Sequence, residues 1–196
     1  MKLIIINKNR LGIIVIVVGL MLILFGLQKN FDASIKHIAL IQNDIDSLSV
    51  YKALNERFTY KLPSGWKTKR QNFEGAEIRY HNDFWSEDAK IHGFVEIWNI
   101  NEDLETFLQK SKDAALKQNE YKEYSISPVN INENNGYEII STMIIPEKNI
   151  MYKGYEYFVK IKNGFIRFSF FVRDKNYKEN MPTIFKTIVE TIEYTP

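Results

Sequence analysis

Cysteine is absent from the 196-residue sequence. Its absence excludes a disulfide-stabilised fold, cysteine-ligated zinc, a thiolate nucleophile and a lipid-modified N-terminal cysteine. The chain also lacks G-x-S-x-G, H-E-x-x-H, the phosphate-binding glycine loop and G-x-G-x-x-G, and it contains only three histidines. These absences favour a protein that is not an enzyme and that needs no cofactor.

Charge of one sign is concentrated only near the N-terminus. Residues 1–57 carry seven basic and four acidic side chains, a net charge of +3, whereas residues 58–196 carry nineteen and twenty, a net charge of −1. Binding to nucleic acid needs a concentrated basic face on the folded domain. We therefore expect no nucleic-acid partner.

One long hydrophobic run is present, LGIIVIVVGLMLILFGL at residues 11–27. As a helix it would measure about 25 Å, close to the lower limit for a hydrocarbon core of about 30 Å. Lys2, Lys8 and Arg10 precede the run, and basic flanks stay in the cytoplasm. The pattern predicts a single-pass protein of the cell membrane that contacts the lipid bilayer through residues 11–27. Residues 1–10 would be cytoplasmic and the C-terminal part extracytoplasmic.

Two other interpretations of this run are less favoured. A cleaved signal peptide usually has an apolar stretch of about 7 to 15 residues that ends at a small-x-small site, and the following sequence FGLQKNFDAS offers none. A buried core helix is rarely so uniformly apolar beside a basic N-terminus. We expect an uncleaved anchor.

Residues 28–57 are predicted to form a helical stalk. Ile38, Ile41, Ile45 and Leu48 recur at helical spacing, and neither glycine nor proline interrupts the segment. This apolar stripe either packs on the protein's own domain, the favoured interpretation, or pairs two copies as a weak homodimer. It covers only about two heptads, short of the three to four of a persuasive coiled coil.

The remainder, residues 58–196, predicts an α+β domain. Three strands come first, then a helix after Asn101, a four-stranded antiparallel meander and a closing helix that begins near Pro182. Asn135-Gly136 and Asn163-Gly164 are predicted to form type I′ turns between paired strands. The seven predicted strands are at residues 58–62, 76–85, 91–100, 124–132, 137–145, 152–162 and 165–173.

The opening FTYKLPSGWK, with Leu62, Pro63, Gly65 and Trp66 in its turn, and the closing TIFKTIVETIEY resemble the PsbP-like fold over residues 58–196. The resemblance implies an antiparallel sheet of about seven strands packed with two helices, in a small and usually non-enzymatic docking domain. The best-known members are extrinsic subunits of photosystem II, and bacterial relatives are exported or membrane-attached. No functional residue is carried over.

Polar side chains that could bind a metal cluster around the loop between the second and third strands. Two imidazoles and three carboxylates could hold a divalent cation. They match no recognised ligand spacing, so a solvated polar loop is the favoured interpretation. The five residues are His81, Asp83, Glu87, Asp88 and His92.

Phe84 and Trp85 of the same loop are candidates for docking a protein partner, because exposed aromatic clusters mark interaction surfaces. Packing in the core is the competing interpretation. For Phe165 and Phe171, on a strand that is apolar on both faces, core packing is favoured.

The sequence thus favours a single-pass membrane protein that presents a non-enzymatic extracytoplasmic interaction domain to an unidentified protein partner. One alternative is a scaffold subunit of a pilin-like or cell-division assembly, although a pilin processing site is missing at Arg10-Leu11-Gly12-Ile13. The least favoured alternative is a metal-dependent hydrolase that uses the polar loop cluster.

Overall fold

The computed structural model describes residues 8–43 and 45–195, with the side chains of residues 8–13 and 24–30 outside the described part. The described elements are α1 Lys8–Ile41, β1 Leu48–Ala53, β2 Phe58–Pro63, β3 Lys67–Gln71, β4 Ile78–Trp85, β5 Ile91–Trp98, α2 Leu104–Gln118, β6 Glu120–Ile131, β7 Asn134–Ile145, β8 Ile150–Ile161, β9 Gly164–Arg173, α3 Met181–Val189 and β10 Glu193–Tyr194.

The strands form two antiparallel sheets, which confirms the predicted α+β class. The large sheet has the order β3-β4-β5-β9-β8-β7-β6, and the small sheet has the order β1-β2-β10. The predicted meander is the run from β6 to β9. The sequence missed β1, which lies in the predicted stalk, and the short strands β3 and β10, and it did not place β2 in a separate sheet.

The main core lies between the two sheets and is closed by α3. Tyr60 of the small sheet meets Phe168 of the large sheet edge to face, with ring centroids 5.5 Å apart. Phe185 of α3 stacks on Phe170 at 4.4 Å. We call this side of the large sheet its inner face. The opposite side, the outer face, carries α2, so each predicted domain helix covers one face.

The predicted stalk is helical only in its first half. α1 ends at Ile41, and Leu48–Ala53 form β1, which pairs with β2 along its whole length. The aromatic ring of Tyr51 stacks on that of Tyr60, with centroids 5.4 Å apart. Contact of this segment with the core, and not the helical spacing of its apolar residues, therefore determines its conformation. The predicted packing of the stripe on its own domain is confirmed for Ile45 and Leu48, which contact the core, and is wrong for Ile38 and Ile41, which are exposed.

The first predicted hairpin turn lies three residues too late. Asn132 and Glu133 occupy the turn, both with positive φ (49° and 66°), as a type I′ turn requires. Gly136 instead lies within β7, where an added Cβ would meet the Phe158 carbonyl oxygen at 2.1 Å. This glycine is needed for a close strand approach and not for a turn. In the second hairpin β8 ends at Ile161 and β9 begins at Gly164. The turn therefore lies one residue before the predicted Asn163-Gly164 pair.

Residues 14–23 of α1 are not covered by any other part of the chain that the structure describes. Within the described residues, no helix combines the length and the apolar character that a membrane crossing requires. The predicted span includes residues 11–13 and 24–27, whose side chains lie outside the described part. Between residues 14 and 23, nine large apolar side chains are each 48–67% exposed. They are Ile14, Val15, Ile16, Val17, Val18, Leu20, Met21, Leu22 and Ile23.

Candidate functional site

A cavity of about 440 Å³ lies on the outer face between the sheet and the second half of α2. α2 begins at the cap Asp103, whose side chain accepts a hydrogen bond from the Glu105 amide. Leu104 and Leu108 of its first half are buried against the sheet. One and two turns later, the same helix face carries Ser111 and Ala115, which are too small to reach the sheet. The change from large to small side chains along one stripe leaves the space.

Small residues also form the centre of the cavity wall on the sheet side. Ser141 and Gly154 lie opposite each other on β7 and β8. A Cβ on Gly154 would lie 2.6 Å from the Ser141 hydroxyl, so a larger residue there would force the Ser141 side chain to move. Large aromatic side chains surround this small centre. They are Trp98, Phe107, Tyr121, Tyr124, Tyr152 and Phe171.

A buried carboxylate lies at the floor of the cavity. Glu156 of β8 is 8% exposed. Its Oε2 accepts hydrogen bonds from the Ser169 hydroxyl at 2.7 Å and from Arg167 Nε and Nη2 at 2.9 and 2.5 Å. The strand register places the three residues together, because Glu156 pairs with Ser169 and β9 brings Arg167 two positions away on the same face.

Arg167 is enclosed on both sides. Its guanidinium carbon lies 4.8 Å from the centroid of the Phe94 ring and 5.4 Å from that of Phe158. Nη1 donates to Oε2 of Glu96 at 3.4 Å. Burial alone would lower the pKa of Arg167, but the carboxylates of Glu156 and Glu96 raise it above its ordinary value. Arg167 therefore remains charged and holds two buried carboxylates.

A chain of hydrogen-bonded side chains, called the ladder below, continues across the sheet from Glu96 to β3. Oε1 of Glu96 lies 2.8 Å from Nδ1 of His81, and Nε2 of His81 lies 2.9 Å from Oδ1 of Asp83. Gln71 then donates to the other Asp83 oxygen. Both ring nitrogens of His81 are engaged, so neither is free to bind a metal.

The five predicted metal ligands do not come together. In the part of the chain that the structure describes, no three His, Cys, Asp or Glu side chains adopt a metal-binding arrangement. His81 and Asp83 belong to the ladder, whereas Glu87 and Asp88 border a different cavity of about 510 Å³ beside the β4–β5 turn. His92 packs on the Phe171 ring at 5.5 Å, and burial, followed by the charge of Arg173, lowers its pKa.

Asp88 has a local structural role. Its carboxylate accepts hydrogen bonds from the Ser86 hydroxyl and the Lys90 amide, and it pairs with the Lys90 ammonium at 2.9 Å. Partial burial would raise the pKa of Asp88, but these contacts outweigh it and hold the pKa at about 2. Asp88 thus closes the β4–β5 turn.

The two predicted docking aromatics lie on opposite faces of β4. Phe84 is fully buried on the inner face, stacked on Trp66 at 5.3 Å and next to Phe170. It cannot contact a partner of the folded domain. Trp85 is partly exposed on the outer face. Of the other pair, Phe165 is buried beneath α2, as favoured, and Phe171 is only partly buried because it borders the cavity.

Sequence reasoning missed the charged floor, although a signal for it exists. Glu96, Glu156 and Arg167 each have only uncharged, mostly apolar or aromatic residues within two positions on either side in their strands. A lone charge in such a strand is rarely buried without a partner. Two acidic positions and one basic position of this kind would have predicted their pairing.

Solved structures with a similar fold come from several bacteria. Cyanobacterial PsbP (CyanoP) from Synechocystis sp. PCC 6803 matches with a TM-score of 0.56 at 13% identity, over 77% of this chain and 94% of that chain. LpqN of Mycobacterium tuberculosis, described as involved in cell envelope biogenesis, matches with a TM-score of 0.51 at 11% identity, over 76% and 91%. A protein from Bacteroides thetaiotaomicron VPI-5482 matches with a TM-score of 0.52 at 14% identity, over 75% of this chain and 48% of that chain.

No protein-family model matches the sequence, and no curated protein sequence does either. At these identities the structural likeness concerns the fold alone. It agrees with the resemblance seen in the turn from Leu62 to Trp66 and in the closing helix. The chain therefore has a PsbP-like fold.

Proposed function

We propose that the chain is a single-pass membrane protein that holds a non-enzymatic binding domain outside the cytoplasm. The observation that carries the proposal is the exposure of nine large apolar side chains between residues 14 and 23. Ten successive helical residues point in every direction around the axis, so no single protein face could cover them. Such a surface is unfavourable in water and favourable in hydrocarbon.

The position of the charges supports the orientation. Lys2, Lys8 and Arg10 flank the apolar run on its N-terminal side and would remain in the cytoplasm. The domain after the run would then be extracytoplasmic. The fold that it shares with LpqN, a protein described as involved in cell envelope biogenesis, is consistent with that location.

The outer-face cavity supports binding and not catalysis. Arg167 and one oxygen of Glu156 are held by fixed partners, and His81 is engaged through both nitrogens. Groups held in this way position a bound molecule but are poor proton carriers, because a general acid or base must reach the reacting atom. Binding of a partner or small molecule is the function that this arrangement supports best.

Membrane retention tests the anchor. The full chain should stay in the pellet after carbonate extraction, and protease added to intact spheroplasts should cleave the domain. Replacing Val17 and Met21 together by arginine should release the chain, because each charge at a span centre costs about 2.5–3.5 kcal/mol. The matched control replaces both by leucine and should stay in the pellet. Carbonate extraction of the wild type, or a domain protected in intact spheroplasts, would contradict the proposal.

A scaffold role with self-association through α1 is a second candidate. Phe31, Ile35, Ile38 and Ile41 form an apolar stripe on α1, each side chain more than half exposed. On the other side of the helix Ala39 is buried, and Lys36 pairs with Glu190 of α3 at 2.5 Å. The stripe thus lies on the side of α1 that is free to meet a second copy.

Cysteine crosslinking checks this self-association directly, because the chain has no native cysteine. We expect Ile38→Cys to form a disulfide-linked dimer in membranes under mild oxidation, since a shared stripe would bring two such positions together. Lys52→Cys, on the exposed edge strand β1, is the matched control and should remain monomeric. Equal crosslinking at both positions would show random collision and remove the support for a dimer.

A further inference from the structure

We propose that the outer-face cavity binds an organic cation with an apolar, preferably aromatic, body, and that Glu156 is its counter-ion. The inference rests on the proposed binding role of the domain and adds the chemical class of the ligand. Its support comes from the free oxygen of Glu156, the enclosure of Arg167 and the aromatic walls of the cavity.

The first observation is that only half of the Glu156 carboxylate is used. All of its hydrogen bonds go to Oε2, whereas Oε1 has no hydrogen-bond partner among the described residues. Glu156 is more than nine-tenths buried, and it lines the cavity. Oε1 is not fully buried, because Asn180 Oδ1 is the only buried side-chain oxygen or nitrogen without a partner among the described residues. A carboxylate oxygen that faces a mostly enclosed cavity without a protein partner favours a hydrogen-bond donor or a positive charge in the space beside it.

The second observation is that Arg167 is already bound to two carboxylates. Each of its three nitrogens donates to Glu156 or Glu96, and its guanidinium carbon lies 4.8 and 5.4 Å from the ring centroids of Phe94 and Phe158. Glu96, Glu156 and Arg167 together carry a net charge of −1. This cluster by itself favours a cation over an anion next to Glu156. Two further cations, Lys112 and Arg173, each lie 5.9 Å from a ring centroid of the cavity wall, those of Tyr124 and Tyr152 respectively.

The third observation is the wall of aromatic rings. Tyr121, Tyr124, Tyr152 and Phe171 line the cavity, and ring faces attract cations. The Lys112 ammonium already lies 5.9 Å from the centroid of the Tyr124 ring, so this wall accepts positive charge. Burial, followed by the Glu156 charge, raises the pKa of Tyr124 to about 12, so its ring stays neutral.

The fourth observation is size. The cavity of about 440 Å³ lies within the range of about 300–1,000 Å³ that small-molecule sites occupy. It exceeds what one ammonium group would fill. The remaining volume lies beside Ile139, Met143 and Phe158, which are apolar, and so the body of the ligand should be apolar too.

Calorimetric titration of the full chain in lipid nanodiscs tests the proposal, with empty nanodiscs as the blank. The probes are benzyltrimethylammonium, neutral benzyl alcohol and anionic phenylacetate. We expect the cation to bind about tenfold or more tightly than the alcohol, an estimate for a cation at an aromatic wall beside a carboxylate. Phenylacetate should give no heat.

Two variants locate the binding. Glu156→Gln removes the charge and should lower the affinity for the cation about tenfold, and it should lower that for benzyl alcohol much less. Ser111→Phe fills the cavity from the α2 side and changes no residue of the floor. It should abolish binding of both the cation and benzyl alcohol. Glu147→Gln, in the exposed turn Pro146–Lys148, is the matched control and should bind like the wild type. Circular dichroism establishes that each variant is folded.

Three results would overturn the proposal. They are tighter binding of phenylacetate than of the cation, undiminished cation binding by folded Ser111→Phe, and no binding of the cation by the wild type up to about 10 mM. Carbonate extraction of the same proteins separates this failure from failure of the anchor. A chain that stays in the membrane but binds no cation refutes only the ligand, whereas a chain that binds the cation but leaves the membrane refutes only the anchor.

Discussion

Arg167→Met should lower the free energy of unfolding by roughly 3–5 kcal/mol, the usual cost of removing one partner from a buried ion pair. The substitution leaves the carboxylates of Glu156 and Glu96 buried on the outer face without the cation that now contacts both. Urea denaturation followed by tryptophan fluorescence measures the loss, since Trp98 donates a hydrogen bond to Glu96 in the same cluster.

Two comparisons isolate the charge effect. Arg167→Met combined with Glu156→Gln should recover much of the lost stability, because one of the two carboxylates is then neutral. Arg173→Met, on an exposed residue of the same strand, should change stability by less than about 1 kcal/mol. Equal losses for Arg167→Met and Arg173→Met would show that the buried cluster does not stabilise the fold.

Phe84→Ala should cost about 3–5 kcal/mol, the range for truncating a buried phenylalanine. Its ring is fully buried and contacts the rings of Trp66 and Phe170, so the substitution leaves a cavity between the two sheets. The same denaturation experiment measures the change. Loss of partner binding by this variant would reflect unfolding and not a missing contact.

The neighbouring Trp85 provides the matched control for Phe84. It is partly exposed on the other face of β4, so Trp85→Ala should destabilise the domain less than Phe84→Ala, despite removing a larger side chain. A greater loss of stability from Trp85→Ala would mean that Trp85, and not Phe84, faces the core.

The alternation of side chains along the second half of the chain was sufficient to predict the four-strand meander. Strands β6 to β9 fall within a few residues of their predicted limits, because long alternating segments joined by short turns have few other ways to pair. The turn at Asn132-Glu133 was missed because an Asn-Gly pair follows closely. The glycine is explained by the approach of the Phe158 carbonyl, a contact between strands that a single sequence does not reveal.

The candidate site could not be predicted from residues that are near each other in sequence. The expected metal cluster relied on such proximity, yet successive residues of a strand alternate between faces, and Glu87 and Asp88 turn away from His81. The cavity instead combines small residues, Ser111 and Gly154, with a charged pair from β8 and β9. Its position depends on the strand order and on where α2 crosses the sheet, which are properties of the whole fold.

The connection between α1 and the domain has a mechanical consequence for a protein anchored as we propose. Only residues 42–47 separate α1 from β1, Ala39 is buried, and Lys36 is tied to Glu190. An apolar segment of about 25 Å is shorter than a typical hydrocarbon core, so it would stand almost upright and thin the surrounding lipid instead of leaning. Because Ala39 and Lys36 attach α1 to the domain, the domain would keep a fixed height and orientation above the bilayer. Molecules that reach the opening beneath α2 would have to approach it from a fixed side.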